Sequence, residues 1–434
     1  MENNNNNSNN TKNESKMWPK LLVIFLLSVL LLIPQSLIRN LIGERQNTEQ
    51  EANIEVCEKW GENRTVCGPA IFIPGDKPEN NLYILPETLD VEGNMATHTL
   101  SRGIFDFSVY EVPLHISGKF VLPKEVTAQQ LSHLQTNRAK LLFSINDFKG
   151  FVDYPTLTYQ GNTIELNADG FKLGNHDALS SQINIETLLN GGNSPFDLQL
   201  TLKGSNTIDF VPVGRTTNID ITSDCPTPSF NGRYLPNQRE VTKNGFHAQW
   251  KVLGLNRDFP QVLHNQKEIS SSPWVTETND GCIGTASVNL KVPVEQYQQT
   301  TRTIKYAYLI ILLTFAVVFF VENRHKKPIH PVQYALVGLA LILFYTLLLS
   351  FSEHIAFWLS YLIAALMTIG LITAFIHGIL KHREATLAVG GLLATLYLFI
   401  YIIMQLESYA LLVGSIGIFI ILAVAMYASR KLFG

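Results

Sequence analysis

Residues 334–376 read YALVGLALILFYTLLL, then SFSEHIAFW, then LSYLIAALMTIGLITAFI. Two apolar runs flank one short polar break, which carries Glu353 and His354 side by side. A helix needs about 20 apolar residues to cross the hydrocarbon core of a bilayer. The stretch therefore predicts two membrane-spanning helices joined by a tight turn at Glu353 and His354.

The rest of the chain divides by composition. Residues 1–17 are rich in Asn and predict a disordered tail, whereas 41–303 have the mixed composition of a water-soluble domain. Residues 18–40 predict an anchor helix, 304–428 a bundle of five transmembrane helices, and 429–434 a short tail. With a net charge of only −3 over 434 residues, the chain gives no indication of nucleic-acid binding.

Six segments approach the length and apolarity of a membrane span. By number they are 20–40, 304–321, 332–351, 355–377, 385–404 and 409–427. The first resembles a signal peptide because lysines precede its apolar run, but no site of small residues for cleavage follows. We therefore expect an uncleaved anchor, whose helix can continue into residues 38–56.

The distribution of Lys and Arg predicts the orientation of the spans, since cytoplasmic loops are enriched in both. The loops ENRHKKPIH, HGILKHRE and SRKLFG are basic, whereas the turns SFSEHIA and QLESYA contain neither residue. This pattern predicts a multi-pass membrane protein with both termini in the cytoplasm and residues 41–303 on the outer side of the membrane. Arg39 and Arg45, just outside the first span, do not fit it.

Residues 41–303 read mostly as β-strands. Segments such as VYEVPLHISGKFVL and FDLQLTLKG alternate apolar with polar residues, and clusters of Gly, Pro and Asn separate them. The predicted fold class is therefore a helical membrane protein with six transmembrane helices and a large β-rich, sandwich-like periplasmic domain inserted between the first and the second.

All four cysteines, Cys57, Cys67, Cys225 and Cys282, lie in this domain. An oxidising compartment permits disulfides, and we favour the pairs Cys57–Cys67 and Cys225–Cys282 among the three possible pairings. The alternative is a metal site, but no close C-x-x-C spacing supports one. We predict neither a metal nor another cofactor.

The familiar catalytic motifs are absent from the sequence, so we predict no enzymatic activity. The histidines of the soluble region, His98, His115, His133 and His247, are scattered, and we interpret each as a surface or packing residue.

The candidate functional cluster consists of Glu353, His354, Gln405 and Glu407, which two predicted outer turns bring to one face of the membrane. Such a cluster can relay protons, bind a cation or hold the periplasmic domain. The alternative is that Glu353 and His354 are only hydrated residues of a turn.

Six long blocks of the sequence resemble the CreD family of bacterial inner-membrane proteins. They are IPQSLIRNLIGERQ, WGENRTVCGPAIFIP, SRGIFDFSVYEVPLHISGKF, PTPSFNGRYLPNQREVTKNGFHAQW, IHPVQYALVGLALILFYTLLLSFSEHIAFWLSYLIAA and LYLFIYIIMQLESYALLVGSIGIFIILAVAMYASRK. Two positions depart from the family pattern, which usually has Trp in place of Cys225 and Asp in place of Ser408. The second departure weakens any site that needs two acidic groups at that turn.

The resemblance implies a role in cell-envelope integrity and the envelope stress response, and implies no established reaction. From the residues we predict a protein that binds or organises envelope components through its periplasmic domain. The partners expected are the lipid bilayer and envelope proteins or cell-wall and lipid components, and no oligomeric state is predicted. One alternative is a transporter or flippase-like carrier that uses the outer-face carboxylates. Another is a membrane enzyme built on Glu353, His354 and Glu407.

Overall fold

The computed structural model describes residues 19–426, apart from several short gaps. The gaps are 21, 62, 174–175, 265–276, 279–280, 283, 291–294, 326, 406–411, 418, 421–422 and 424–425. The chain forms two compact units. One is Gln50–Pro293, which we call the sheet domain, and the other joins Met1–Glu49 to Val294–Gly434, which we call the helix bundle. The predicted tails 1–17 and 429–434 lie outside the described residues.

The sheet domain contains two large β-sheets and one small pair of strands. The nine-stranded sheet consists of β1 (Arg64–Ile73), β2 (Leu82–Ile84), β5 (Lys140–Ile145), β8 (Asn167–Leu173), β9 (His176–Gln182), β11 (Thr207–Phe210), β13 (Ser229–Gly232), β16 (Val262–His264) and β19 (Ala286–Asn289). The small pair is β17 (Glu277–Thr278) with β18 (Gly281–Cys282). The prediction of a large β-rich domain is confirmed.

The eight-stranded sheet has the spatial order β14-β15-β12-β3-β4-β10-β6-β7. Its strands are β3 (Thr88–Arg102), β4 (Phe105–Phe120), β6 (Thr156–Tyr159), β7 (Asn162–Glu165), β10 (Ser194–Ser205), β12 (Thr216–Ser223), β14 (Gln238–Thr242) and β15 (Gly245–Leu253). The long β3–β4 hairpin turns at Gly103, whose φ of 65° lies where glycine carries no steric penalty. The pairing of β12 with β3 is parallel, and the other pairings in this sheet are antiparallel.

One hydrophobic core joins the two sheets. Strand β10 shows why, because Phe196, Leu198 and Leu200 alternate with polar residues and all three are buried. They belong to the same cluster as Ile71 and Phe143 of the nine-stranded sheet. The period of two therefore leaves the polar half of each strand of the eight-stranded sheet on its other, open face.

Helix α1 (Leu22–Trp60) is 39 residues long and runs well past residue 40, as the sequence allowed. The hydrogen bonds from Leu31 N to Leu27 O and from Gln35 N to Leu31 O carry it across a turn at Leu31. It ends where Gly61 takes a φ of 144°.

Among the described residues up to Gln405, five further helices follow the sheet domain: α2 (Glu295–Lys305), α3 (Ala307–His325), α4 (Pro331–Ser352), α5 (Phe357–Leu380) and α6 (Arg383–Gln405). Helix α4 begins with Pro331 after a capping box, in which His330 Nδ1 accepts from Val332 N and Gln333 Oε1 accepts from His330 N. Helix α4 packs against α5, α5 packs against α6, and α3 contacts both α4 and α6.

Five helices among the described residues are long and apolar enough to cross a membrane, namely α1 and α3 to α6. They overlap five of the six predicted spans. The sixth, 409–427, lies partly outside the described residues, and its described part, including 412–417, is helical. Helix α2 was not foreseen, and it belongs to the helix bundle although 295–303 had been assigned to the soluble domain.

Neither predicted disulfide is present among the described residues, where Cys57 and Cys225 carry free thiols. The Sγ of Cys57 lies 3.2 Å from Asn206 Nδ2 and 3.4 Å from Asn53 Oδ1. Cys67 is 1% exposed and lies in β1 opposite Ser144. Cys57 thus lies near the end of α1, whereas Cys67 lies in the core of the nine-stranded sheet. The side chain of Cys282 lies outside the described residues.

Candidate functional site

Glu353 and His354 lie, as predicted, in the turn between α4 and α5. Backbone hydrogen bonds from Glu353 N to Leu349 O and from His354 N to Phe351 O form this turn. Arg45, which had been set aside as a misfit, lies with its Nε 3.5 Å from Glu353 Oε1. The Glu353 side chain is only 12% exposed, so the turn is tied to α1 by an ion pair.

The other two described members of the predicted cluster, His354 and Gln405, show no comparable ion pair. His354 is exposed at the turn, and Gln405 is exposed at the end of α6. Glu407 lies outside the described residues. The convergence of the four side chains therefore stays a prediction.

A second charged network, which the sequence analysis missed, is buried at the C-terminal end of α3. Glu322 is 7% exposed and accepts from Tyr334 Oη at 2.8 Å, from Ile329 N at 3.0 Å and from Lys20 Nζ. The segment ENRHKK had been interpreted by its positive charges alone. Its single acidic residue was the available signal, because an ionisable group beside a span is expensive unless paired.

Each of the helices α4, α5 and α6 contributes a buried tyrosine to the bundle, namely Tyr345, Tyr361 and Tyr397. Tyr361 Oη donates to Tyr397 O at 2.7 Å. The hydroxyls of Tyr345 and Tyr397 are buried and find no partner among the described residues. Each of these two buried hydroxyls can therefore form a hydrogen bond that no described protein atom provides.

An ordered pattern of polar side chains lies on the open face of the eight-stranded sheet. The strand registers place six outward-facing side chains in one row across six strands. In spatial order they are Gln249, Asp220, Glu92, His115, Gln199 and Thr156. Their spacing follows from the strand separation of about 4.8 Å, so the row is roughly 24 Å long.

Two histidines on this face are held by carboxylates. His115 Nε2 lies 2.5 Å from Asp197 Oδ2, and its Nδ1 lies 3.9 Å from Glu92 Oε2. The hydrogen bond to Asp197, with the charge of Glu92 adding to it, raises the pKa of His115 above its usual value. His247 Nε2 lies 2.7 Å from Asp220 Oδ1, and Gln249 Nε2 donates to Asp220 Oδ2 at 2.6 Å. The histidines interpreted as scattered residues thus meet acidic partners through strand register.

The row lies in two adjoining cavities. A cavity of about 770 Å³ is lined by His115, Gln199 and Tyr154 among others, and one of about 440 Å³ by Gln249 and Lys251. Glu92 and Asp220 line both, so the cavities form one groove, which we call the polar groove. Tyr154 stands at its side with 96% of its surface exposed.

The polar groove offers hydrogen bonds of both kinds. Its amides and hydroxyls donate and accept, and its carboxylates accept. Among the residues that the structure describes, no group of three His, Cys, Asp or Glu side chains is arranged to hold a metal ion. The geometry is therefore that of a polar binding surface.

Comparison with known sequences places the whole chain. The sequence model of the family described as inner membrane protein CreD matches residues 16–433. The chain belongs to the CreD family. It is similar to the protein called inner membrane protein CreD of Escherichia coli (strain K12), with 28% identity over 446 positions that cover 96% of this chain and 94% of that protein.

Membership of the CreD family confirms the resemblance seen in the sequence blocks. It identifies an inner-membrane protein, and the membrane-length helices agree with a multi-pass arrangement. The CreD name states a location and no chemical activity. What a CreD protein can do must therefore be argued from its surfaces, of which the polar groove is the most developed.

Proposed function

We propose that this CreD-family protein is a non-enzymatic binding protein of the cell envelope. The sheet domain lies on the periplasmic side, between the first and second of six spans, with both termini in the cytoplasm. It binds an envelope component through the polar groove, and this binding supports envelope integrity and the response to envelope stress. The basic loops on one side of the predicted spans support this orientation.

The ordered row across the open sheet face is the observation that carries the proposal. A sheet that only needed to remain soluble would be served by scattered charges. Here a groove of two joined cavities collects amide, hydroxyl, imidazole and carboxylate groups at fixed spacing. Strands held in a sheet present these groups, so little backbone freedom is lost when a partner binds.

Crosslinking in living cells tests the proposal. A photo-crosslinking amino acid at position 154 is expected to capture envelope material reproducibly, because Tyr154 borders the groove. The matched control is position 255, since Leu255 is also almost fully exposed, at 94%, and does not line the groove. Equal capture at both positions, or none at either, argues against the proposal.

The alternative function is that of a transporter or flippase-like carrier. The unused hydroxyls of Tyr345 and Tyr397 inside the bundle favour it, because polar groups within spans often mark a substrate path. Its outer-face carboxylates would be Glu353 and Glu407. Protein in liposomes that moves a proton, ion or lipid, with the rate lost in Glu353→Gln, supports this function, and the absence of any flux removes it.

A further inference from the structure

We propose that the polar groove binds a neutral glycan chain that bears hydroxyl and N-acetyl groups. The inference rests on the proposed binding function and names the chemical class of the partner. It uses the register of the row, the hydrogen bonds already made by its carboxylates, the exposed ring of Tyr154 and the charge of the lining.

The row matches a linear polymer with repeated polar groups. Each of its six side chains comes from a different strand, and neighbours are one strand spacing apart. A glycan repeats its hydroxyl and amide groups at regular intervals along one axis. A chain lying across the strands therefore meets a new side chain at every strand over roughly 24 Å.

The carboxylates of the groove differ in how much of their bonding capacity is used. Both oxygens of Asp220 accept hydrogen bonds, from His247 and Gln249. The Glu92 side chain is 71% exposed, and the only ion pair it makes among the described residues is the long one to His115. Glu92, at the centre of the row, is thus open to accept from a pair of sugar hydroxyls, while Asp220 is held in place.

Amide groups elsewhere in the polar groove supply the complementary donors. The Gln199 side chain is exposed and lines the larger cavity together with Asn94. Both can donate to the carbonyl oxygen of an N-acetyl group and accept from its N–H. Acceptors and donors therefore occur together along the groove, which suits a ligand that has both.

Tyr154 supplies the apolar contact that a sugar ring also needs. A pyranose presents C–H groups on its faces, and these pack against an aromatic ring. Because 96% of the surface of Tyr154 is exposed, its apolar ring atoms are in contact with water. A sugar ring that covers the tyrosine removes this apolar surface from water, which is favourable. Its position beside Thr156 and Thr201 places the ring at one end of the row.

Charge selects a neutral glycan over other polymers. Glu92, Asp153 and Asp220 line the larger cavity with one histidine, so a phosphorylated or polyanionic chain is repelled. A basic peptide is the competing class. It is disfavoured because both oxygens of Asp220 already accept from His247 and Gln249, and because the imidazole of His115 lies 3.9 Å from Glu92.

Calorimetry on the full-length protein in lipid nanodiscs tests the class of ligand. The probes are N-acetylglucosamine oligomers of one to six units, with an oligolysine peptide and a polyphosphate as competitors. We expect the oligomers to bind, with affinity rising with length until the groove is filled. Gln199→Ala and Tyr154→Ala should each weaken Kd about tenfold, while Leu255→Ala should leave it unchanged.

The outcomes separate this inference from the function on which it rests. Binding of oligolysine or polyphosphate in place of the glycan overturns the glycan assignment. Glycan binding that Gln199→Ala and Tyr154→Ala leave intact places the ligand elsewhere and also overturns it. If no glycan binds while position 154 still crosslinks envelope material selectively, the glycan inference fails and the proposed binding function stands. If no glycan binds and position 154 captures no envelope material selectively, both the glycan inference and the proposed binding function are wrong.

Discussion

The sheet domain and the helix bundle each contain a buried charged side chain, Arg64 and Glu322, and they satisfy the two charges in different ways. Arg64 is 0% exposed and donates to two backbone carbonyls, Lys203 O and Asp147 O, both at 2.7 Å. Glu322 instead relies on a lysine, a tyrosine hydroxyl and one backbone N–H. Backbone of β10 and of the surrounding loops, together with the Asp147 carboxylate at 3.4 Å, stabilises the charge of Arg64, whereas the bundle brings side chains from separate helices to Glu322.

The space around Arg64 shows how closely those loops are fitted. A Cβ added to Gly61 would lie 2.3 Å from Arg64 Nη2, and one added to Gly150 would lie 2.5 Å from its Cζ. Glycine at these positions lets the backbone approach the guanidinium. The bundle has no comparable device around Glu322 among the described residues, since helical backbone groups are already bonded to each other.

Replacement of Arg64 should have the largest effect. Arg64→Met leaves the carbonyls of Lys203 and Asp147 buried without a donor, so we expect a loss of about 3–5 kcal/mol of domain stability. Hydrogen exchange of the β1 amides in the full-length protein measures it. Arg138→Met is the control, because Arg138 is exposed and bonds only to Gln135 among the described residues. Equal exchange in both variants contradicts the prediction.

Breaking the pair in the bundle should cost less. Lys20→Met leaves Glu322 with Tyr334 and Ile329 N as partners, and we expect a loss of about 2–3 kcal/mol because the Lys20 side chain is 26% exposed. The double variant Lys20→Met with Glu322→Gln should recover part of the loss, since it removes the unpaired charge. Thermal unfolding in detergent compares the three proteins, and strictly additive losses would refute the pairing.

Replacement of tyrosine by phenylalanine should have opposite effects on stability at two positions inside the bundle. Tyr361→Phe removes a hydrogen bond to Tyr397 O and should lose about 1 kcal/mol. Tyr345→Phe removes a hydroxyl that has no partner among the described residues, so stability should stay equal or rise. Melting temperatures of the two variants provide the comparison. A loss in Tyr345→Phe as large as in Tyr361→Phe would mean that a bound molecule satisfies the hydroxyl.

The ion pair at the predicted outer turn should matter little for stability. Arg45 and Glu353 are 3.5 Å apart with the Arg45 side chain 46% exposed, so Arg45→Ala should lose less than about 1 kcal/mol.

Survival of envelope stress by a deletion strain expressing Glu353→Ala or His354→Ala, at membrane levels matched by immunoblot, separates function from stability. Normal survival would show that Glu353 and His354 are only hydrated residues of a turn. Lost survival at normal membrane levels of the protein would show that they are functional.

The pH dependence of the polar groove should be the smallest effect. Because Asp197 raises the pKa of His115 in the folded protein, the protonated form is favoured by folding. The stabilisation is complete below the unfolded pKa of about 6.5 and is lost as the pH rises through the higher folded pKa. Asp197→Asn should lower the pKa of His115, which NMR of the imidazole follows directly. An unchanged pKa would show that the contact does not persist in solution.

The sequence determined the parts of this protein that depend on local pattern. Apolar runs of membrane length are recognisable one residue at a time, so the spans matched by α3 to α6 were predicted within a few residues. Alternation in FDLQLTLKG predicted a half-buried strand, which is β10. These features follow from the hydropathy of successive side chains and need no knowledge of distant partners.

Only the tertiary structure decided which distant residues meet. Arg45 and Glu353 are 308 positions apart, and nothing local indicates that they pair. The row from Gln249 to Thr156 exists because strands from separate parts of the chain take one register, and a slip of one residue would turn these side chains to the other face. Register is set by the shared hydrophobic core, so the polar groove is a property of the folded sheet.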